Sequence, residues 1–175
     1  MEHNNITQDP NNYWEQLERL EKLIRASELK AGLIFSFHSF ILGLFIDRLD
    51  YFYKIFNNDK IFIVLAAIWM LFVIISIYYC FLCFSPRIMG KYPKNVFFFR
   101  DAAYGFGSIE EYTEKLVKIC ETHEELSVQL GNQIYIESVI IDQKFSSVQK
   151  SIKYFAFSLV CITVLLIFWL SKLYL

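Results

Sequence analysis

The sequence predicts an all-α membrane protein with three transmembrane helices, an N-terminal amphipathic helix and a small helical cytosolic region whose last helix can continue into the third span. Composition is the first reason, because 55% of the 175 residues are hydrophobic and 18% are aromatic, which exceeds the usage of soluble domains. The second reason is an apolar run, residues 61–84, that contains no Asp, Glu, Lys or Arg. The third reason is the helical spacing of apolar residues outside the spans.

Three apolar stretches predict the spans. At about 1.5 Å per residue, a helix over residues 61–84 crosses a hydrocarbon core of about 30 Å with some tilt. The stretches 31–46 and 154–171 are shorter, and length alone also allows them to be buried core helices. Their charged flanks decide, because Lys30 precedes the first and Lys153 precedes the last, and such side chains reach the head groups. We therefore predict that all three stretches cross the membrane.

The basic residues predict the orientation. Thirteen of the 17 Lys and Arg residues lie within residues 1–30 and 85–153. The remaining four are Arg48, Lys54, Lys60 and Lys172. Because cytoplasmic segments carry the excess of Lys and Arg, we place the amphipathic helix (1–30) and the helical region (85–153) in the cytosol. The short loop 47–60 and the tail 172–175 then lie outside.

The N-terminal segment has the pattern of an amphipathic helix. Asp9 and Pro10 form a favourable cap and first-turn pair. Apolar residues then recur at helical spacing at Trp14, Leu17, Leu20 and Ile24. This face packs either within the chain or against a partner helix or the lipid surface.

The stretch "VFFFRDAAYGFGSIEEY" (96–112) follows the second span. Ser108 and Glu111 have the spacing of a capping box, which predicts a turn at 105–107 and a helix from Ile109 to His123. Residues 96–99 are either a buried core segment or an aromatic anchor at the membrane surface.

The last helix is predicted to begin near Glu124. Its apolar stripe consists of Leu126, Leu130, Ile134, Ile141, Phe145, Val148 and Ile152. No proline interrupts the sequence before the third span, so one rod can connect the cytosolic region to the membrane. The alternative is a bend or break at Gly131.

Composition and motifs exclude several classes of function. A net charge of −1 and a pI near 6.3 give no basic footprint for nucleic-acid polymers. His3, His38 and His123 are far apart, and no metal, nucleophile-elbow or P-loop motif is present. We expect no enzyme activity, no metal and no cofactor.

Two sets of residues are candidates for function. The first could bind a small anionic ligand through a helix N-terminus, basic charge and aromatic stacking. It consists of Lys94, Arg100, Asp101, Tyr104 and Ser108. The second set is polar and lies inside the first span, which indicates a conduction path or a contact surface between subunits (an oligomer seam). The alternative is that these residues only form a hydrogen bond between helices. It consists of Ser36, His38 and Ser39.

Three segments resemble those of a known family. They are "ELKAG" (28–32), the segment from Pro93 to Tyr112 with "VFFF" (96–99) and "SIEEY" (108–112), and "LGNQIYIESVIIDQKF" (130–145). Their order around the spans resembles the transmembrane effectors of Pycsar antiphage systems over nearly the whole chain. The matching positions are Lys30, Ala31, Phe97, Phe98, Tyr112, Gln133, Ile134, Ser138 and Lys144. Arg100 and Asp101 depart from the family pattern, and Phe99 and Arg100 occupy the place where the family has a glycine after the aromatic pair.

The resemblance implies a function. In that family a pyrimidine nucleotide cyclase makes cUMP or cCMP during infection, and the effector impairs the bacterial inner membrane, so that the infected cell stops growing or dies. The implied partners are the cyclic nucleotide, the lipid bilayer and the cyclase. Other copies of this chain are expected too, because about 70 cytosolic residues enclose little volume. The alternative is a structural or adaptor membrane protein whose cytosolic helices bind a protein partner.

Overall fold

The computed structural model of the chain describes residues 9–50, 59–85 and 92–174, and only the backbone for residues 172–174. Its helices are α1 (Pro10–Asp47), α2 (Lys60–Phe84), α3 (Phe99–Tyr104), α4 (Ile109–Glu121) and α5 (His123–Tyr174). No strand occurs in these described ranges, and the predicted all-α class is confirmed. Most of the predicted outer loop, at residues 51–58, lies outside the described residues.

Three of the helices, α1, α2 and α5, are long and apolar enough to cross a membrane. This confirms the prediction of three helices that are able to span a membrane. The helix α5 is a single helix of 52 residues, so Gly131 does not interrupt it. The predicted continuation of the last cytosolic helix into the third span is confirmed as well.

The start of α1 follows from its first residues. The Asp9 side chain accepts a hydrogen bond from the backbone N–H of Asn11 at 3.0 Å. That N–H has no partner within the helix, and the carboxylate satisfies it. Pro10 occupies the first helical position, where its missing N–H is not needed.

The described chain forms two compact units. The first, here called the polar unit, comprises residues 9–25 and 92–142. Its buried apolar residues are Leu17 and Leu20 of α1, Val96 and Phe98 of the following loop, Ile119 of α4, and Leu130, Ile136 and Ile141 of α5. The apolar face at the start of α1 therefore packs within the chain, which was one of the two predicted alternatives.

The second unit, here called the apolar unit, comprises residues 26–50, 59–85 and 143–174. Buried residues recur on each of its helices at intervals of three, four or seven. They are Ser27, Ala31, Ile34 and His38 of α1, Trp69, Val73, Ser76, Cys80 and Cys83 of α2, and Lys144, Val148, Ser151, Ser158 and Leu165 of α5. This 3.5-residue period is the packing pattern of coiled coils and of many membrane helix bundles.

Small polar residues connect the helices in the middle of the apolar unit. Ser76 donates a hydrogen bond to the backbone oxygen of Ser151 at 3.0 Å, and Ser151 donates one to the backbone oxygen of Ser76 at 3.1 Å. The sulfur of Cys80 lies 3.0 Å from the Ser151 hydroxyl oxygen. Such residues allow α2 and α5 to approach closely and satisfy their own polar groups where no water is available.

Candidate functional site

The loop before α3 is organised by Asn95, which is completely buried. Its side-chain amide donates to the backbone oxygen of Gln129 at 2.7 Å, and its side-chain oxygen accepts from the Phe97 N–H at 2.8 Å. Its backbone N–H donates to the Asp101 carboxylate at 2.9 Å. An asparagine that bonds to the backbone two residues later forms a local turn, and this turn connects the loop to α3 and α5.

The aromatic segment after Asn95 belongs largely to the core of the polar unit. Val96 and Phe98 are buried, and Phe97 contacts Trp14 edge to face, with ring centroids 5.6 Å apart. The hydroxyl of Tyr112 donates to the backbone oxygen of Val96 at 3.3 Å. Phe99, by contrast, is 73% exposed. The structure therefore favours the core interpretation for residues 96–98.

The cap of α4 confirms the prediction made from Ser108 and Glu111. The Ser108 hydroxyl oxygen accepts from the Glu111 N–H at 3.2 Å, and the Glu111 carboxylate accepts from the Gly107 N–H at 2.9 Å. Hydrogen bonds from its own N–H and from the Ser108 hydroxyl lower the pKa of Glu110. The Glu110 and Glu111 N–H groups of the first turn are thus satisfied within the chain, and two carboxylates already carry negative charge there.

A groove lies beside this cap, between α4 and the loop that carries Lys94. Its volume is about 370 Å³. The lining side chains are Lys94, Lys115 and Lys118, Glu111 and Glu114, and Phe106, Val96 and Ile119. Positions 111, 114, 115 and 118 share one face of α4 because of their helical spacing. The groove therefore combines three ammonium groups, two carboxylates and one aromatic ring.

Lys94 is held at the wall of the groove. Its ammonium group donates to the backbone oxygen of Gly105 and lies 5.9 Å from the centroid of the Phe106 ring. Phe106 in turn contacts Tyr112, with centroids 5.4 Å apart. An ammonium group has three donors, so this contact leaves Lys94 capacity for a ligand.

The five predicted ligand residues have different surroundings, and their role in binding stays a prediction. Of these, Lys94 lines the groove, Asp101 holds the Asn95 turn and Ser108 caps α4. Arg100 and Tyr104 are exposed, Tyr104 to 86%, and neither lines the groove. The groove also contains Phe106, Lys115 and Lys118, which are not in the set predicted from the sequence, although the lysine pair three residues apart on α4 was a usable signal.

The three polar residues of the first span also point in different directions. Ser36 and Ser39 are exposed and donate to the Gly32 and Phe35 backbone oxygens of their own helix. His38 is only 1% exposed, and its ring lies edge-on to Phe155 at 4.9 Å between centroids. Its Nε2 has no hydrogen-bond partner among the described residues. A conduction path or oligomer seam at these residues stays a prediction.

Comparison with known proteins adds one positive finding. A family model of the Pycsar effector protein domain matches residues 12–171. No curated protein and no solved structure matches the chain.

Proposed function

The chain belongs to the Pycsar effector protein domain family, and on this premise we propose that it senses cUMP or cCMP in the cytosol and responds by impairing the inner membrane. Family membership supports the broader role, that of an effector in a cyclic-nucleotide-signalled antiphage system. The three long apolar helices suggest that this effector is a membrane protein.

The groove beside α4 is the observation that carries the nucleotide proposal. Binding sites for small molecules have volumes of about 300–1,000 Å³, and 370 Å³ suits a single mononucleotide. A cyclic phosphate carries one negative charge, which Lys115 and Lys118 would contact, and Phe106 offers a ring on which a base can stack. We propose this groove, in place of the exposed Arg100 and Tyr104, as the ligand site.

The same proposal includes an oligomer. The lysines of the groove are exposed, so the wall of one chain leaves a bound nucleotide largely accessible to water. A second copy of the chain would cover the open side and complete the enclosure that tight binding of a small ligand requires. Each nucleotide would then contact two chains.

Signal transmission is assigned to α5. The helix begins at His123 and continues without a break to Tyr174, and a helix transmits rotation and translation along its length. A nucleotide that contacts two arrangements of the polar unit unequally would shift their populations. We propose that this shift moves the third span and that the chain itself catalyses no reaction.

Calorimetric titration with cUMP and cCMP tests the ligand site. We expect Lys115→Gln and Lys118→Gln each to weaken binding by about ten- to a hundredfold, because a charge-assisted hydrogen bond contributes about 1.5–3 kcal/mol. Lys22→Gln is the matched control, since Lys22 is exposed and pairs with Glu18 on α1. Arg100→Gln should also leave the affinity unchanged. If Arg100 instead binds the ligand, as the set predicted from the sequence implies, this variant should lose affinity.

Dye release from proteoliposomes tests the response. We expect release after addition of the nucleotide that binds and none with cAMP at the same concentration. If neither cUMP nor cCMP binds or causes release, the proposal is wrong. The structural or adaptor interpretation would then be the better one.

A further inference from the structure

Lys144 is a charged residue in an unusual position, the packed interior of the apolar unit. Its side chain is only 4% exposed. Its ammonium group donates to the Glu28 carboxylate at 2.7 Å and to the backbone oxygen of Cys83 at 2.8 Å. One side-chain nitrogen therefore joins α1, α2 and α5.

The two acceptors explain why the charge is tolerated there. Cys83 lies in the last turn of α2, where backbone oxygens lack a partner within the helix and carry the negative end of the helix dipole. Glu28 supplies the compensating charge. The Glu28 side chain is 41% exposed, so the carboxylate remains in contact with water while the ammonium group does not.

The surroundings of the pair make the contact sensitive to a movement of α5. Ala31, Ile34, Cys83 and Val148 form a buried apolar cluster in the same unit. Both acceptors belong to other helices, the Glu28 carboxylate to α1 and the Cys83 oxygen to α2, so a rotation of α5 large enough to exceed the reach of the side chain separates Lys144 from both. The ammonium group would then be stable only if it reached water, because an unpaired charge is costly in an apolar interior.

We propose that the contact of Lys144 with Glu28 and the Cys83 oxygen is a latch that holds the three spans together in the resting state. This inference rests on the proposed function. Nucleotide binding moves α5, the latch opens, and the Lys144 ammonium group becomes hydrated as the Glu28 carboxylate already is. The two charged groups are therefore stable in two arrangements, either paired with each other or hydrated. Apolar side chains at these positions would be stable only in the packed arrangement.

Opposite effects of two variants test the latch. Glu28→Gln leaves the ammonium group without its counter-charge, so the latched state becomes less stable. We expect the nucleotide concentration for half-maximal dye release to fall about tenfold, or release to occur without nucleotide. Glu28→Met/Lys144→Met replaces the pair with apolar side chains that pack but gain nothing in water, and we expect that concentration to rise about tenfold.

Controls separate the latch from binding and from folding. Lys153→Met is the matched control, because Lys153 is an exposed lysine on the same helix and its ammonium group lies over a ring of that helix, 6.0 Å from the Phe157 centroid; this variant should respond as the unmodified chain does. In each of these variants, the fold-change in nucleotide affinity should not exceed the fold-change in the nucleotide concentration for half-maximal dye release. If Glu28→Gln folds poorly, Glu28→Asp takes its place. That variant keeps the charge on a shorter side chain, and we expect it to lower the nucleotide concentration for half-maximal dye release by a smaller factor.

Two failures are distinguishable. If the unmodified chain neither binds nucleotide nor releases dye, the proposed function is wrong, and a nucleotide-released latch is wrong with it. If the unmodified chain binds and responds while both latch variants keep its threshold within twofold, the latch alone is overturned.

Discussion

At the scale of single residues, Glu137 shows how tertiary burial changes a group that looks ordinary in the sequence. Burial raises the pKa of its carboxyl group, the hydrogen bond from Gln133 lowers that pKa, and the charge of Glu21 raises it again. The Gln133 amide nitrogen lies 2.9 Å from the Glu137 carboxyl oxygen. The net effect is a raised pKa, so the carboxyl group binds a proton more readily in the folded chain than in the unfolded chain.

This shift has a defined sign for stability. A carboxyl group whose pKa is higher in the folded state binds more protons there than in the unfolded state. Its contribution is therefore fully present below the unfolded pKa and is lost as pH rises through the folded pKa. At neutral pH, Glu137 contributes less to stability than a neutral side chain of the same shape would.

We expect Glu137→Gln to raise the melting temperature of the detergent-solubilised protein at pH 7.5, with a smaller difference near pH 4.5. Glutamine has the size of glutamate and can still accept the hydrogen bond from Gln133. Glu110→Gln is a control of opposite sign, because the pKa of Glu110 is lowered by hydrogen bonds to its charged form. That substitution should lower the melting temperature at pH 7.5. Equal effects of pH on both variants would contradict the assignment.

The role of a residue could be predicted from the sequence when its hydrogen-bond partner is close in the chain, and could not when the partner is distant. Asp9 and Ser108 cap helices through atoms two or three residues away, so spacing in the sequence was enough to identify them. Asn95 bonds to Gln129, which is 34 residues away, and no local pattern reveals that pairing. Buried polar groups with distant partners become visible only when the chain is folded.

At the scale of secondary-structure elements, two glycines have opposite surroundings. Gly105 ends α3, and its N–H donates to the backbone oxygen of Asp101 at 2.7 Å. A Cβ atom at Gly105 would lie 2.6 Å from that same oxygen, whereas a Cβ atom at Gly131, within α5, would meet nothing within 4 Å. The turn between α3 and α4 therefore requires glycine, and α5 does not.

Alanine substitutions test this contrast. We expect Gly105→Ala to reduce the free energy of unfolding by about 1–3 kcal/mol, because the added methyl group must displace backbone. Gly131→Ala should increase it by about 0.5–1 kcal/mol, because alanine loses less backbone entropy in a helix. Chemical denaturation followed by circular dichroism measures both. A destabilising Gly131→Ala would indicate that α5 needs flexibility or a close contact at that position.

The apolar helices show why element existence was easier to predict than element packing. The helix α2 is apolar on all sides, so hydrophobic periodicity cannot indicate which side faces α1 and α5. Only the small residues Ser76, Cys80 and Cys83, which are spaced by four and three, mark the buried side. In hydrocarbon, packing and hydrogen bonds select the contact face, because burial of apolar area does not discriminate.

At the scale of the whole molecule, the distribution of Lys and Arg gives a prediction about orientation. Thirteen of 17 basic residues fall in the segments 1–30 and 85–153, which the positive-inside rule places in the cytosol. Cys120 lies in the second segment and is exposed, whereas Cys80 and Cys83 are buried. The chain therefore contains its own probe of orientation.

A membrane-impermeant maleimide tests the orientation. We expect no labelling of Cys120 in intact spheroplasts and labelling after permeabilisation, with Cys120→Ser as the control for reaction at other cysteines. Asp50→Cys in the Cys120→Ser background should be labelled in intact spheroplasts, because residues 47–60 are predicted to lie outside. Labelling of Cys120 before permeabilisation would show that the orientation is reversed.

The sequence by itself determined the all-α class, the three spans, the α4 cap and the family of this protein, because each depends on composition or on residues close together in the chain. Tertiary structure alone decided the contact of Lys144 with Glu28, 116 residues away, and the convergence of Lys94 with Lys115 and Lys118 on one groove. Such contacts depend on which helix faces meet. That choice follows from packing and desolvation over the whole molecule, and no local period in the sequence encodes it.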